Sequence, residues 1–392
     1  MLLDSDLSGV DLRGLDLSHA NLTGSSFVGS NLSGCRLDSA TIFGGDFRRA
    51  NLEKASLTRA DLRGCNFSGA MLVGADLFEA DMREGGQIAR DRSGEFHARG
   101  PNDTAPGRTT FSGANLTNAS LTGAFAVKTD FSDAIMRGAR LTRSHLRGAN
   151  FSDCDLDGAD FGQADTRDTC FQGAILSGTN FTFANVAGAD MKNALSDKPH
   201  GTLLNTLEAS LEELLASHLQ FIGTNGASGR MLDLSGFDLR GSSAFVGARL
   251  TLAKAANAVF SGVNLTRAAL QAAKCQGSDF RKCRLDEADM RGICLTGARL
   301  DSASMRKVDL RALKIGSGAR MAADLSNTRL RHANLSGALL DGANFAGADL
   351  SFTDLSGASL SEANFTGARL AAAKMSAQQW AAIKDLGAIV AA

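Results

Sequence analysis

From Leu7 to Met82 a large apolar residue returns at every fifth position: Leu7, Leu12, Leu17, Leu22, Phe27, Leu32, and on through Phe67, Leu72 and Leu77. Five residues advance an α-helix by about 500°, so these side chains would spiral around it and form no apolar stripe. In a flat strand the side chains alternate with period two, and an odd repeat throws successive leucines onto opposite faces. The pattern is consistent only if the chain turns a corner in every repeat, so that each large residue points into a closed coil. Regular internal repetition of this kind predicts a solenoid.

The remaining positions fit that coil. With the large residue called i, position i−2 is small, as in Ala50, Ala55, Ala60, Ala70 and Ala75, and period two puts it on the same inner face. Position i+2 is often glycine (Gly9, Gly14, Gly24, Gly64, Gly69), which suits a type II turn with φ > 0. Positions i−1 and i+1 carry Asp, Asn, Ser, Thr and Arg, which face water.

Read as A(D/N)LxG, in Ala60-Asp61-Leu62-Arg63-Gly64 and Ala333-Asn334-Leu335-Ser336-Gly337, the motif resembles the pentapeptide-repeat family over most of the chain. The resemblance implies an all-β solenoid, a right-handed quadrilateral β-helix with four pentapeptides per coil. The phenylalanines predict four repeats per coil on their own account. Phe27, Phe47 and Phe67 are 20 residues apart, as are Phe111, Phe131, Phe151 and Phe171, then Phe161 and Phe181, and Phe345 and Phe365. Aromatic side chains should therefore stack in columns inside the coil, each contributing about 1.5 to 3 kcal/mol by burial.

Breaks in the period set the organisation. The first, a polar stretch from Arg83 to Thr110, ends at Phe111. Counted in repeats, Phe111 is the fourth after Phe67, so the column continues and the break reads as a loop leaving an unbroken coil. The second break differs in kind. Leu204, Leu207, Leu211, Leu214, His218 and Phe221 follow alternating spacings of three and four, which predicts an amphipathic helix suited to closing the open end of the first coil. His218 is expected to pack at that interface. The period restarts at Leu234, with one extra residue before Phe245, and runs to Met375. Arg320 falls on an inward position of this second array, where a buried unpaired charge would be costly, so a bulge or loop is expected there. Ser376 and Gln379 form a capping-box start for a terminal helix bearing Trp380, Ile383, Leu386 and Ile389. The expected layout is a first β-helix over 1–194 with an excursion at 83–110, a helical cap or linker over 195–231, a second β-helix over 232–375, and a capping helix over 376–392. Whether the two β-helices stack or lie in tandem is left open.

Composition changes this picture little. The chain has 392 residues, 44% of them apolar, with 41 basic against 42 acidic side chains. It shows no leader-like apolar start and no apolar run near the length of a membrane span, so a cytoplasmic bacterial protein is the expectation. Of the cysteines, Cys35, Cys65, Cys154 and Cys283 sit at i−2 and Cys275 at i, where small hydrophobes pack; Cys170 and Cys294 sit at i−1. The six histidines are scattered, with no HExxH, GxSxG, P-loop or Cys/His metal spacing, so neither an enzyme nor a cofactor or metal site is expected.

Charge distribution says more than its total. Residues 1–194 hold 19 basic and 24 acidic side chains, whereas 234–375 hold 19 basic and 12 acidic. At 20 residues per coil, Arg291, Arg311 and Arg331 would form a basic ladder, provided the register runs on past the irregular stretch, with Arg306 and Lys307 one face along. The 83–110 excursion carries Arg90, Arg92, Phe96, His97 and Arg99, a candidate interaction loop. The leading expectation is a non-enzymatic scaffold that binds another protein. The C-terminal helix or the first coil could form a homodimer, and nucleic acid and membrane are not expected partners. The family resemblance implies an alternative: some pentapeptide-repeat proteins imitate duplex DNA and bind a type II topoisomerase, gyrase, protecting it from poisons. Those proteins rely on a markedly acidic surface, and this chain is near neutral with a basic second half.

Overall fold

Each five-residue repeat uses its backbone donors in the same way. The Leu32 N–H donates to the Asn51 carbonyl one coil on (2.6 Å), the Gly34 N–H to Glu53 (2.8 Å), and the Cys35 N–H back to Leu32 (3.0 Å). The last bond closes a four-residue turn whose third residue, Gly34, has φ 67°, as a type II turn demands. Parallel bridges at 20-residue offsets then join successive coils on four sides, as in Asp6↔Ser26, Asp11↔Asn31, Asp16↔Arg36 and Asn21↔Thr41. Only a residue or two separates one corner from the next, so the ladders are rows of single bridges rather than long strands. The ladder also overrides local preference at the corners. Lys54, Arg59, Leu252 and Phe352 hold φ between 55° and 64° there, a conformation that costs a non-glycine residue about 1 kcal/mol.

The computed structural model describes residues 3–85, 88–90, 96–98, 107–198, 200–316, 318–385 and 388. They fall into two units, Met1–Lys198 and Pro199–Ala392, each with its own continuous apolar core.

In the first unit the rings of Phe27, Phe47, Phe67, Phe111, Phe131, Phe151 and Phe171 stack in one column at centroid separations of 4.6 to 5.4 Å. All seven are fully buried. The Phe67–Phe111 step is as close as any, 4.6 Å, and Asn66 bridges Thr110, so the excursion interrupts the sequence without interrupting the coil. Phe161 reaches across from the opposite wall to meet Phe151 edge-on at 5.6 Å. The interior is thus filled by side chains from facing sides. Within the excursion, strand β1 (Ile88–Arg90) pairs antiparallel with β2 (Phe96–Ala98). Its base is fastened by Thr109, whose hydroxyl donates to the Arg83 carbonyl (3.0 Å) and accepts from the Gly64 N–H (2.8 Å).

The second unit opens with β3 (Thr202–Leu203), a 3-10 turn (Leu204–Thr206) and helix α1 (Leu211–Gly223); β3 pairs parallel with β4 (Phe237–Asp238). Two expectations are corrected here. The helix starts at Leu211, so Leu204 and Leu207 lie outside it: Ser210 and Glu213 form a capping box that fixes the N-terminus. Further, Leu211 belongs to the core cluster of the second unit, with Leu204, Leu214 and Leu215 packed against it. α1 therefore caps the start of the second coil stack rather than the end of the first. The first turn of that stack carries the extra residue, with bridges Asp233↔Lys254 and Asp238↔Val259 at an offset of 21 before the offset returns to 20 at Arg249↔Ala269. Farther on, β5 (Leu313–Ile315) and β6 (Ala319–Met321) form an antiparallel hairpin that leaves the coil, and Arg320 is exposed on it. Across the hairpin the offset is 30, as in Cys294↔Asp324 and Arg299↔Arg329, and beyond it the offset is 20 again, as in Asp324↔Asn344. Helix α2 (Ala377–Asp385) closes the far end. The Ser376–Gln379 capping box forms, and the Gln379 side-chain amide donates to the Leu355 (2.8 Å) and Ala358 (2.9 Å) carbonyls of the last coil. Ile383 is fully buried and Trp380 packs beside it; Leu386 and Ile389 lie outside the described residues.

Candidate interaction surfaces

Outward chemistry on these coils is governed by one local device. An Asp at i−1 accepts the backbone N–H at i+1 through Oδ1, and an Arg at i+1 folds back onto the same carboxylate. In the first unit Asp61–Arg63, Asp81–Arg83 and Asp165–Arg167 are joined this way, each with a closest approach of 2.7 Å. In the second, Asp238–Arg240, Asp289–Arg291 and Asp309–Arg311 do the same at 2.6 to 2.8 Å. Burial works to raise the Asp289 carboxyl, but Arg291 and Gln271 outweigh it and hold it below the usual carboxylate range. The same carboxylate holds the Arg291 guanidinium above its ordinary value. Each clamp is close to electrically neutral.

This device reshapes the basic ladder. Arg291 and Arg311 do stand in one column, 20 residues apart, yet each is clamped by its own Asp, and Arg291 also lies 3.7 Å from Asp309. Arg306, one side along, is held by Asp286 at 2.9 Å. Lys307 sits exposed at the neighbouring corner with φ 54°. Arg331 does not join them. The hairpin adds two repeats' worth of residues, so the position one coil beyond Arg311 is Asp341, whereas Arg331 follows Asp301 on the opposite side. There its Nε lies 3.1 Å from Asp349 and the side chain is half-buried. Arg291, Arg311, Lys314 and Arg320 instead line a cleft of about 640 Å³ under the hairpin, together with Asp341 and Glu362.

Of the candidate loop residues, Arg92 and Arg99 lie outside the described residues. Arg90, Phe96 and His97 are described as backbone: Arg90 pairs with Phe96 and Ala89 with His97 in the β1/β2 hairpin.

At the foot of that excursion lies a surface that the sequence reading passed over. Phe125 occupies an i−1 position, where polar residues are the rule, and its ring stacks on His145 one coil later at 5.0 Å and 8°. The Arg83 guanidinium stands over the same ring at 5.8 Å, and one coil earlier Arg63 lies 5.6 Å from the Phe43 ring. Phe125 is 39% exposed. The signal was available: an aromatic at a position the repeat reserves for water. Among the described residues no group of His, Cys, Asp and Glu is placed to hold a metal ion, and no helix is long and apolar enough to cross a membrane.

No curated protein matches the sequence. Among solved structures it is similar to HetL, a pentapeptide-repeat protein involved in heterocyst differentiation regulation in the cyanobacterium Nostoc sp. strain PCC 7120. The identity is 19%, over 94% of this chain and 91% of HetL, with a TM-score of 0.23. Rfr23 from the cyanobacterium Cyanothece 51142 is 24% identical over 34% of this chain and 89% of its own, with a TM-score of 0.17. QnrB1, a plasmid-mediated fluoroquinolone resistance protein, is 17% identical over 50% of this chain and 94% of its own, with a TM-score of 0.21. The sequence profile of the pentapeptide repeats matches residues 4–41, 46–83, 108–195, 243–311 and 323–377, well over half of the chain. With the five-residue turn and the four-sided ladder on the same residues, this chain belongs to the pentapeptide-repeat family.

Proposed function

We propose that the protein is a non-enzymatic scaffold that binds another protein, on right-handed quadrilateral β-helices, in the cytoplasm. The observation that carries this reading is the strip of half-buried Phe43 and Arg63 and exposed Arg83, Phe125 and His145 at the foot of the 83–110 excursion. Aromatic rings and guanidinium groups are enriched among the side chains that carry binding energy at protein interfaces, and this strip brings Phe43, Phe125 and His145 together with Arg63 and Arg83. Filled interiors support the same reading, because they leave binding to outward faces and projecting hairpins. Affinity capture from the native cytoplasm, comparing the intact chain with Phe125→Ala/His145→Ala, tests it. Partners lost with the double variant support the strip as the contact, and an unchanged set of partners overturns it.

A second reading, gyrase binding by DNA mimicry, is favoured by the acid excess of the first unit. It is opposed by the Arg clamps that neutralise many of those carboxylates. Supercoiling by gyrase, and its inhibition by poisons, should be unchanged by the purified protein; protection would establish the mimic.

A further inference from the structure

His218 lies on the inward face of α1, fully buried. Its Nδ1 accepts the backbone N–H of Leu232 at 3.1 Å, and Leu232 is itself a buried residue at the start of the second coil stack. Its Nε2 is buried and has no hydrogen-bond partner among the described residues. The neighbouring contacts hold helix and chain together tightly. The Ser217 hydroxyl accepts the Arg230 N–H at 3.0 Å, and a Cβ on Gly229 would lie 2.2 Å from the Ser217 carbonyl oxygen. The helix is thus latched onto the chain segment that leads into the coils, and the imidazole is the innermost part of the latch.

An imidazole can accept at Nδ1 only while it is neutral, with its proton on Nε2. A second proton would turn Nδ1 into a donor pointed at another donor. It would also place a positive charge in a buried seat where Nε2 makes no hydrogen bond among the described residues. The charged side chains on the packed elements give no compensation: Glu212 and Glu213 on α1, Arg230 and Asp233 on the following segment, and Arg249 and Lys254 on the coils are all exposed. Burial accordingly pushes the imidazole below its ordinary value, against a smaller opposite pull from the Thr251 and Arg230 backbones.

We propose that α1 is an acid-released cap: protonation of His218 expels it from its seat against Leu232 and uncovers the apolar end of the second unit that α1 seals. The uncovered surface would be the end of the core formed by Leu232, Leu234 and Leu239, normally packed beneath Leu211, Leu214 and Leu215. The device is independent of the strip proposed above as the partner contact.

The sign follows from linkage. A histidine whose folded value is depressed stabilises the closed cap above its unfolded value, about 6.5, and that contribution is lost as pH falls toward the folded value. Over that interval the opening constant rises about tenfold per pH unit. Hydrogen exchange of the full chain from pH 7.5 to 5.0, corrected for chemical exchange rates, should show peptides over 211–234 losing protection with this slope. Peptides over the Phe27–Phe67 column should show no such slope. In His218→Asn the amide oxygen replaces the Nδ1 acceptor and nothing titrates, so the slope should vanish. The same slope in both proteins overturns the proposal. So does a His218 imidazole that titrates at or above 6.5 in the folded wild type by NMR, and that measurement decides alone if the variant fails to seat α1 at pH 7.5.

Discussion

At the scale of single residues, the inward i−2 position does more than fill space. Where it carries a small polar side chain, that group donates to the carbonyl of a large residue one coil back: Thr129 to Met82 (2.8 Å), Cys65 to Ile42 (2.9 Å), Cys154 to Phe131 (2.7 Å) and Thr353 to Leu330 (2.7 Å). The cysteines are thus hydrogen-bond donors as well as packing groups. Burial pushes the Cys65, Cys154 and Cys283 thiols up, and Cys275 up to about 12, so they stay protonated. The large residue at i carries the energy. Phe151 is fully buried and contacts three other rings besides its aliphatic neighbours, so Phe151→Ala should cost about 3 to 5 kcal/mol. Arg147, on the outer face, makes one exposed pair with Asp168 at 3.1 Å. Arg147→Ala should change stability by less than about 0.5 kcal/mol. Urea unfolding of the two variants measures both, and comparable losses would contradict the assignment of inside and outside.

At the scale of elements, the hairpin of β5 and β6 shows how an insertion is seated. Gly292 has φ 65°, and a Cβ there would lie 2.9 Å from Leu313 Cβ and 3.2 Å from Met321 Sδ. Gly297, one corner on, has φ 68° with nothing within 4 Å of its notional Cβ. Gly297→Ala should therefore show the backbone cost alone, about 1 kcal/mol. Gly292→Ala should add to that cost and lift the hairpin off the coil, loosening its backbone so that trypsin cuts faster at the already exposed Arg311, Lys314 and Arg320. Limited proteolysis of the two variants separates the effects, and equal cleavage would mean that the hairpin does not rest on Gly292. Legibility at this scale was uneven for physical reasons. The Phe27-to-Phe171 column could be read across the 83–110 break because each ring must meet another one coil away. Arg331 was misplaced because the count of residues between coils depends on where a hairpin leaves the ladder, and exposed positions such as Lys314 and Arg320 carry no inward constraint that would show it. The start of α1 was misread for a local reason: the spacing of Leu204 and Leu207 is helical, but Ser210 caps the helix between them and Leu211, with Glu213 in the first turn completing the box. The Phe125–His145 stack broke the repeat's own polar rule and could have been found by listening to that exception.

At the scale of the whole molecule, the two arrays differ in net charge but share one local way of pairing it. Both units carry Asp clamps to Arg two residues on, so their response to acid should be shared. Arg167 holds the Asp165 carboxyl below its ordinary value. At Asp81, Asp238 and Asp279 burial acts to raise the carboxyl, and the Arg83, Arg240 and Arg281 side chains reverse it. A carboxylate depressed in the folded state stabilises the fold fully above its unfolded value, near 4, and that contribution is lost as pH falls through the folded value. Between pH 7 and 5 the coils should therefore keep their stability, even as the α1 cap loosens. Below about pH 4 the clamps in both units should fail over the same narrow range, each proton leaving an Arg without its carboxylate. Circular dichroism during thermal unfolding at pH 7, 5, 3 and 2 reads the change, with the Phe columns of the two units followed separately by hydrogen exchange. A melting temperature that falls steadily from pH 7 would place the main acid response in groups other than these carboxylates. One that stays flat to pH 2 would show that the clamps bind their Asp side chains no better in the fold than in the unfolded chain.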